Sequence, residues 1–140
     1  MKIQFKLIGI IFLFFSALMS CNNNGSKNGG ISFKKGPQLG YGVDNSGNEK
    51  YIQILQKTLK YNPDISACKI YLKVKNTSDY LCSYSHFVAS LYDSNGSLLG
   101  TAIGNGINIP AGKEKTVDLT AGDVEMPSKY EIQIEDVRFQ

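Results

Sequence analysis

The chain has 140 residues with 15 basic and 12 acidic side chains, which gives a formal charge of +3 at pH 7. Without Lys2 and Lys6, at the extreme N-terminus, 13 basic side chains face 12 acidic ones, a net charge of +1. So small an excess argues against a nucleic-acid binder, which normally carries a clustered basic surface. The length suffices for one domain and no more.

Residues 1–20 are predicted to be an export signal. Lys2 and Lys6 give a short positive segment, and the run from Leu7 to Met19 carries no charge and is almost wholly apolar. A membrane-spanning helix needs about 20 apolar residues, so this run is too short to cross a bilayer comfortably. Its length and its basic start are those of a secretory signal.

The signal ends in Leu18-Met19-Ser20-Cys21, which resembles the bacterial lipobox. The resemblance implies that the Cys21 thiol receives a diacylglyceryl group, with fatty chains such as palmitate, and that cleavage occurs between Ser20 and Cys21. Each buried lipid CH₂ contributes about 0.8 kcal/mol, so two or more chains hold a protein stably at a membrane. An ordinary cleaved signal and an uncleaved anchor are the alternatives. Asn22 is not the Asp that implies inner-membrane retention, so we expect the outer membrane, facing the periplasm.

Residues 21–48 are predicted to form a flexible tether. Residues 22–30 consist of Asn, Gly, Ser and Lys alone, so they have no aliphatic or aromatic side chain to bury. Such a segment cannot offset the entropy lost on ordering. Residues 31–48 are rich in glycine and contain Pro37, a pattern that permits one irregular strand but no helix.

Residues 49–140 are predicted to be all-β, an antiparallel sandwich of about seven strands. In segment 69–75, apolar residues alternate with lysines, which indicates a strand with one buried and one wet face. Segment 50–58 fits helical and strand spacing, and we favour a strand because its neighbours are strands. Further strands are expected at 87–93, 98–103, 115–119 and 130–135, with a loop at 107–112. Short strands punctuated by turns are typical of a sandwich.

Three runs in this domain fall in an order that resembles the FxLYD-type domain: Val74-Lys75-Asn76-Thr77-Ser78, Leu91-Tyr92-Asp93-Ser94-Asn95-Gly96 and Ile109-Pro110-Ala111-Gly112-Lys113. The likeness covers about residues 50–140, and the chain departs from it at Ala89, where the family has Phe. The resemblance implies an immunoglobulin-like sandwich in an exported bacterial protein, and it implies no activity.

His86 is the only histidine and the one candidate for a catalytic base, with Ser83 and Ser85 close in sequence. A triad needs the base within hydrogen-bond reach of the nucleophile, and no nucleophile elbow is present, so we expect no enzyme activity. One histidine and two widely spaced cysteines do not make a zinc set. The segments at 44–49 and 93–96 carry oxygen ligands near a glycine but lack the spacing of a calcium loop, and turn formation explains both. We therefore expect no metal and no cofactor.

Two surfaces are predicted to serve recognition. Loops around residues 76–82, 93–97 and 104–112 are the first, because loops on a rigid scaffold usually carry binding. Tyr84, His86 and Tyr92, on the exposed face of one strand, are the second. The expected partner is an envelope protein or the cell-wall polymer, and the chain is expected to be a monomer. A small-ligand carrier or hydrolase and a purely structural domain are the alternatives.

Cys68 and Cys82 are a possible disulfide, because an exported domain with two cysteines invites one. The strand pattern opposes the bridge, since it places the two residues at opposite ends of one strand, about 25 Å apart. A disulfide needs Cα atoms within about 7 Å. The sequence leaves both possibilities open.

Overall fold

The computed structural model describes residues 35–140, so the predicted signal, Cys21 and residues 22–34 of the predicted tether lie outside the described residues. The described chain is all-β, as predicted, with six antiparallel strands in one curled sheet rather than about seven. The strands are β1 (Ile52–Asn62), β2 (Ala67–Asn76), β3 (Cys82–Tyr92), β4 (Leu98–Ile109), β5 (Glu114–Ala121) and β6 (Lys129–Phe139). Short 3₁₀ turns, Glu49–Tyr51 and Pro63–Ile65, flank β1. Within residues 35–140, no helix is long and apolar enough to span a membrane.

The sheet consists of two three-stranded halves that fold over each other like a sandwich. Its strand order is β1-β2-β5-β4-β3-β6, and β4 pairs with β5 only at Ile103 and Thr120. Gly104 lies beside this junction, where an added Cβ would stand 2.2 Å from the Asp118 carbonyl oxygen. Only glycine lets the two backbones approach so closely. The curl of the sheet therefore depends on a residue without a side chain.

The core fills the space between the two halves. Ile70, Leu72 and Val74 of β2 are fully buried, whereas Lys73 on the same strand is exposed. This is the alternation predicted for β2, and it follows from the period of two in an extended chain. The opposite half contributes Phe87 and further buried residues of β3 and β6. Both halves thus bury one face and leave one face to solvent.

The boundaries of most strands differ from the predictions; β3 begins at Cys82 rather than at residue 87, and β6 continues to Phe139 rather than ending at residue 135. Segment 50–58 is a strand, as favoured, but β1 continues to Asn62. The predicted loop at 107–112 is wrong for residues 107–109, because Ile107 and Ile109 pair with Tyr84 and Cys82 of β3. The turn begins only at Pro110, which has no N–H to continue the ladder.

Residues 38–48 contact β6, although they belong to the segment predicted as a tether. Asn48 is buried, and its side-chain amide donates to the carbonyl oxygens of Val137 and Gln38, both at 3.1 Å. The backbone N–H of Gly40 donates to the Phe139 carbonyl at 3.1 Å, and Leu39 forms a parallel bridge to Phe139. The folded contacts therefore begin upstream of residue 49, the boundary predicted from the sequence.

Candidate functional site

Tyr84, His86 and Tyr92 lie on one face of β3, the solvent face of the β4-β3-β6 half. Each is partly buried, while the intervening Phe87 and Leu91 point into the core. Alternate residues of a strand point to opposite faces, which separates the exposed set from the buried one. A bulge between Cys82 and Tyr84 shifts the register, so that Tyr84 belongs to the exposed set. The three residues predicted to form a binding face do share a face, which extends about 26 Å from Tyr84 to Tyr92.

The neighbouring strand β4 adds aliphatic side chains to this face. Leu98, Ile103 and Ile107 are 61%, 55% and 52% exposed. Register places them directly beside Tyr92, Val88 and Tyr84 of β3. We call the six residues Tyr84, Val88, Tyr92, Leu98, Ile103 and Ile107 the outer patch.

Sequence reasoning missed the aliphatic part of the outer patch. Large apolar residues in a strand normally predict its buried face. In β4 the inward positions include Gly104 and Gly106, where an added Cβ would meet Asp118 O at 2.2 Å and Ser85 Oγ at 2.6 Å. Because small residues fill the inner face next to them, Ile103 and Ile107 point outward, whereas Ile109 at the end of β4 is buried. Glycine or alanine at every second position from 100 to 106 was the available signal.

Charged residues of β6 border the patch on its other side. The Arg138 guanidinium lies 5.2 Å from the Tyr84 ring centroid and 5.7 Å from that of Tyr41. Arg138 also pairs with Asp136 at 2.6 Å, and this hydrogen bond raises the pKa of Arg138 further above its usual value. An exposed cation–π contact contributes about 0.5–1 kcal/mol. Arg138 therefore favours the observed position of the Tyr84 ring.

The other end of the patch has a similar arrangement. Lys129 lies 5.8 Å from the Tyr92 ring centroid and 2.5 Å from a carboxylate oxygen of Glu131. The hydrogen bond to Glu131 raises the pKa of Lys129. The face thus has an apolar side on β4 and β3 and a charged border on β6.

His86 lies between the two tyrosines without a nucleophile. Its Nδ1 is 3.3 Å from a carboxylate oxygen of Glu135. Ser85 faces the core, where its hydroxyl donates to the Gly106 carbonyl at 3.1 Å. The Ser83 hydroxyl donates to the Arg138 carbonyl, also at 3.1 Å. Neither serine is arranged to pass a proton to His86, so the sequence neighbours do not form a triad.

The two cysteines are unbridged and far apart. Cys68 pairs with Tyr61 and Ala121 at one end of the sheet. Cys82 pairs with Ile109 and Phe139 at the other end. Both are free and buried, and burial raises the pKa of each thiol. The register therefore decides against the disulfide that the sequence left open.

The predicted binding loops do not form one surface. The β2–β3 and β4–β5 connections meet at one end of the sandwich, where the Asn76 amide donates to the carbonyls of Tyr80 and Ile109. The turn at 93–97 lies at the opposite end, beside the Tyr92–Leu98 pair. Asp93 shapes that turn by accepting hydrogen bonds from two N–H groups, which lowers its pKa. The β3 face is thus the larger continuous candidate.

Over residues 35–140, no three His, Cys, Asp or Glu side chains are grouped in a way that could hold a metal ion. Comparison of the chain with protein-family models, curated proteins and solved structures gives no match.

Proposed function

We propose that the protein is a lipid-anchored module of the cell envelope that binds a neighbouring envelope component through the outer patch. The observation that carries the proposal is the row of half-exposed aliphatic side chains on β4 beside two tyrosines, each with a cation close to its ring. The proposal assigns the chain no catalytic step.

The anchor rests on the sequence from Leu18 to Cys21 and on the resemblance of the domain to those of exported proteins. A diacylglyceryl group on Cys21 would tether the domain through buried fatty chains. Metabolic labelling with an alkyne-bearing fatty acid tests this. We expect a labelled wild-type protein and an unlabelled Cys21→Ala variant, and equal labelling of the two would refute the anchor.

The outer patch has the composition of an interface core. The large apolar residues of β4 alternate with Thr101 and Asn105, and exposed apolar surface rimmed by polar residues commonly marks an interaction site. Tyrosine and arginine are enriched at such sites, and tyrosine loses little conformational entropy on binding. Burying apolar area contributes about 25 cal/mol per Å². We expect a partner that covers the aliphatic side of the patch and offers polar groups to the β6 border.

Position-specific photocross-linking in living cells tests the surface. A photoreactive phenylalanine analogue is placed at Ile103 or Ile107 and, as a control, at Gln53, which is exposed on the other half of the sheet. We expect one reproducible cross-linked species from the two patch positions and none from Gln53. Cross-links that are absent throughout, or equally frequent at all three positions, would refute the proposal.

A further inference from the structure

A groove lies on the other half of the sheet, at the end where β1, β2 and β5 meet the β1–β2 turn. This open groove has a volume of about 670 Å³. Ligand pockets commonly measure about 300–1,000 Å³, so the space suits a small molecule. Lys69, Tyr71 and Thr120 lie on the solvent face here, because the residues that alternate with them on β2 and β5 are buried. Lys60 of β1 is exposed and pairs with Lys69 across the ladder. The groove and the outer patch thus lie on opposite halves.

The shape of the groove follows from side-chain size. Ala67, Thr120 and Gly122 are small and lie among larger neighbours. Tyr71 stands on one side, and the turn with Pro63 and Ile65 adds apolar surface on another. Ile65 is 65% exposed, a large fraction for an aliphatic residue beside a concave surface. The groove can therefore receive a compact apolar body.

Two lysines converge on the same aromatic ring at this groove. Lys60 Nζ lies 5.4 Å and Lys69 Nζ lies 5.7 Å from the Tyr71 ring centroid. Asp118 is 3.7 Å from Lys69 and offsets one of the two positive charges. Among residues 35–140, no carboxylate lies within 4.0 Å of Lys60 Nζ. The apolar groove therefore carries an excess positive charge at its border.

We propose that this groove binds a small amphiphilic anion, with its apolar body against Tyr71 and Ile65 and its acidic group between Lys60 and Lys69. The two ammonium groups repel each other, and an anion between them would be attracted to both. Beside an apolar surface this attraction is screened less than in bulk water. A purely apolar ligand would make no charge contact with the lysines, and a small inorganic anion would make no apolar contact with the groove. The proposal is independent of the outer patch.

The probe is 4-benzoylbenzoate, which combines an aromatic body, a carboxylate and a photoreactive ketone. Full-length protein in a neutral detergent is irradiated over a range of probe concentrations and then digested. Mass spectrometry locates the labelled peptides, and uncharged benzophenone serves as the matched probe. We expect saturable labelling of the peptides that carry residues 60–71 and 120–122. Benzophenone should label them far less at equal concentration.

Paired variants separate the groove from the rest of the surface. Lys60→Ala with Lys69→Ala should raise the half-saturating probe concentration roughly fivefold to tenfold, since two exposed charge contacts are lost. Lys73→Ala with Lys75→Ala, which removes the next two lysines of β2, should change it less than about twofold. Ile103→Ser on the outer patch should leave labelling unchanged, which separates this proposal from the preceding one.

Gly122→Tyr blocks the groove without changing a lysine. An added Cβ at Gly122 meets no atom within 4 Å, and its φ is not positive, so the backbone accepts a side chain. We expect specific labelling to disappear while the circular dichroism spectrum is retained. Labelling that does not saturate, that is equal for benzophenone, or that survives both the lysine and the Gly122 variants would overturn the proposal.

Discussion

Replacing Asn76 by alanine should destabilise the domain more than any exposed asparagine would. Asn76 is fully buried at the end of β2. Its amide nitrogen donates to the carbonyls of Tyr80 at 2.7 Å and Ile109 at 2.9 Å. Its oxygen accepts from the backbone N–H of Ser78 at 3.0 Å and from the Ser78 hydroxyl at 2.8 Å. One side chain thus ties the β2–β3 connection to β4.

The loss in free energy of unfolding depends on which polar groups are left without a hydrogen-bond partner. The Ser78 hydroxyl keeps a contact at 3.1 Å with the Tyr80 carbonyl, so its loss is small. The same contact leaves the Tyr80 carbonyl with a partner. Two groups remain to be counted, the Ile109 carbonyl and the Ser78 N–H. At about 1 kcal/mol each, Asn76→Ala should cost about 2 kcal/mol. For a domain of this size that corresponds to a fall in Tm of about 8–16 °C.

Urea unfolding followed by circular dichroism measures the loss. Asn62→Ala is the matched control, because Asn62 is exposed and its side chain accepts one hydrogen bond, from the Asp64 N–H at 3.0 Å. The control should lose less than about 1 kcal/mol. If Asn76→Ala were within about 1 kcal/mol of wild type, or no worse than the control, the assigned role of Asn76 would be refuted.

Three further results are expected. Gly104→Ala should lower the urea midpoint strongly, whereas Gly122→Ala should leave it nearly unchanged, because a Cβ at Gly104 meets the Asp118 carbonyl and one at Gly122 meets nothing. Cys68 and Cys82 should react with a thiol reagent at pH 8 only when urea unfolds the protein, because burial excludes the reagent and raises the pKa of both thiols. Rapid reaction of either cysteine in the folded protein would contradict this. Backbone hydrogen bonds lower the pKa of Asp93 in the folded state, so its stabilisation is present above the unfolded value and lost as pH falls through the folded one. The Asp93→Asn variant should therefore lose less stability than wild type between pH 5 and pH 2 in urea titrations, and equal losses would contradict it.

The strands that the sequence predicts well are those with an ordinary alternation. In β2, Ile70, Leu72 and Val74 enter the core as a period of two requires, because the strand alternates apolar residues with lysines and tyrosine. The solvent face of β3 was predicted for the same reason, since the buried Phe87 and Leu91 determine which face points inward.

The features that the sequence did not predict depend on contacts between distant parts of the chain. The outward isoleucines of β4 follow from the close approach of Asp118 to Gly104, which links residues on different halves of the sheet. The contact of Asn48 with Val137 joins positions 89 residues apart. Local composition favours a flexible segment there, and tertiary hydrogen bonds decide otherwise. The groove beside Tyr71 likewise needs the turn and two strands together.

Hydroxyl-radical footprinting of the outer patch in intact cells tests the central claim most directly. Oxidation of Tyr84 and Ile103 is compared between cells and purified protein, with Tyr80, 41% exposed and outside the patch, as the reference. A patch that is covered by a partner predicts strong protection of Tyr84 and Ile103 in cells and equal oxidation of Tyr80 in both samples. If the two patch residues are oxidised in cells as fast as in the purified protein, the outer patch is not a binding surface.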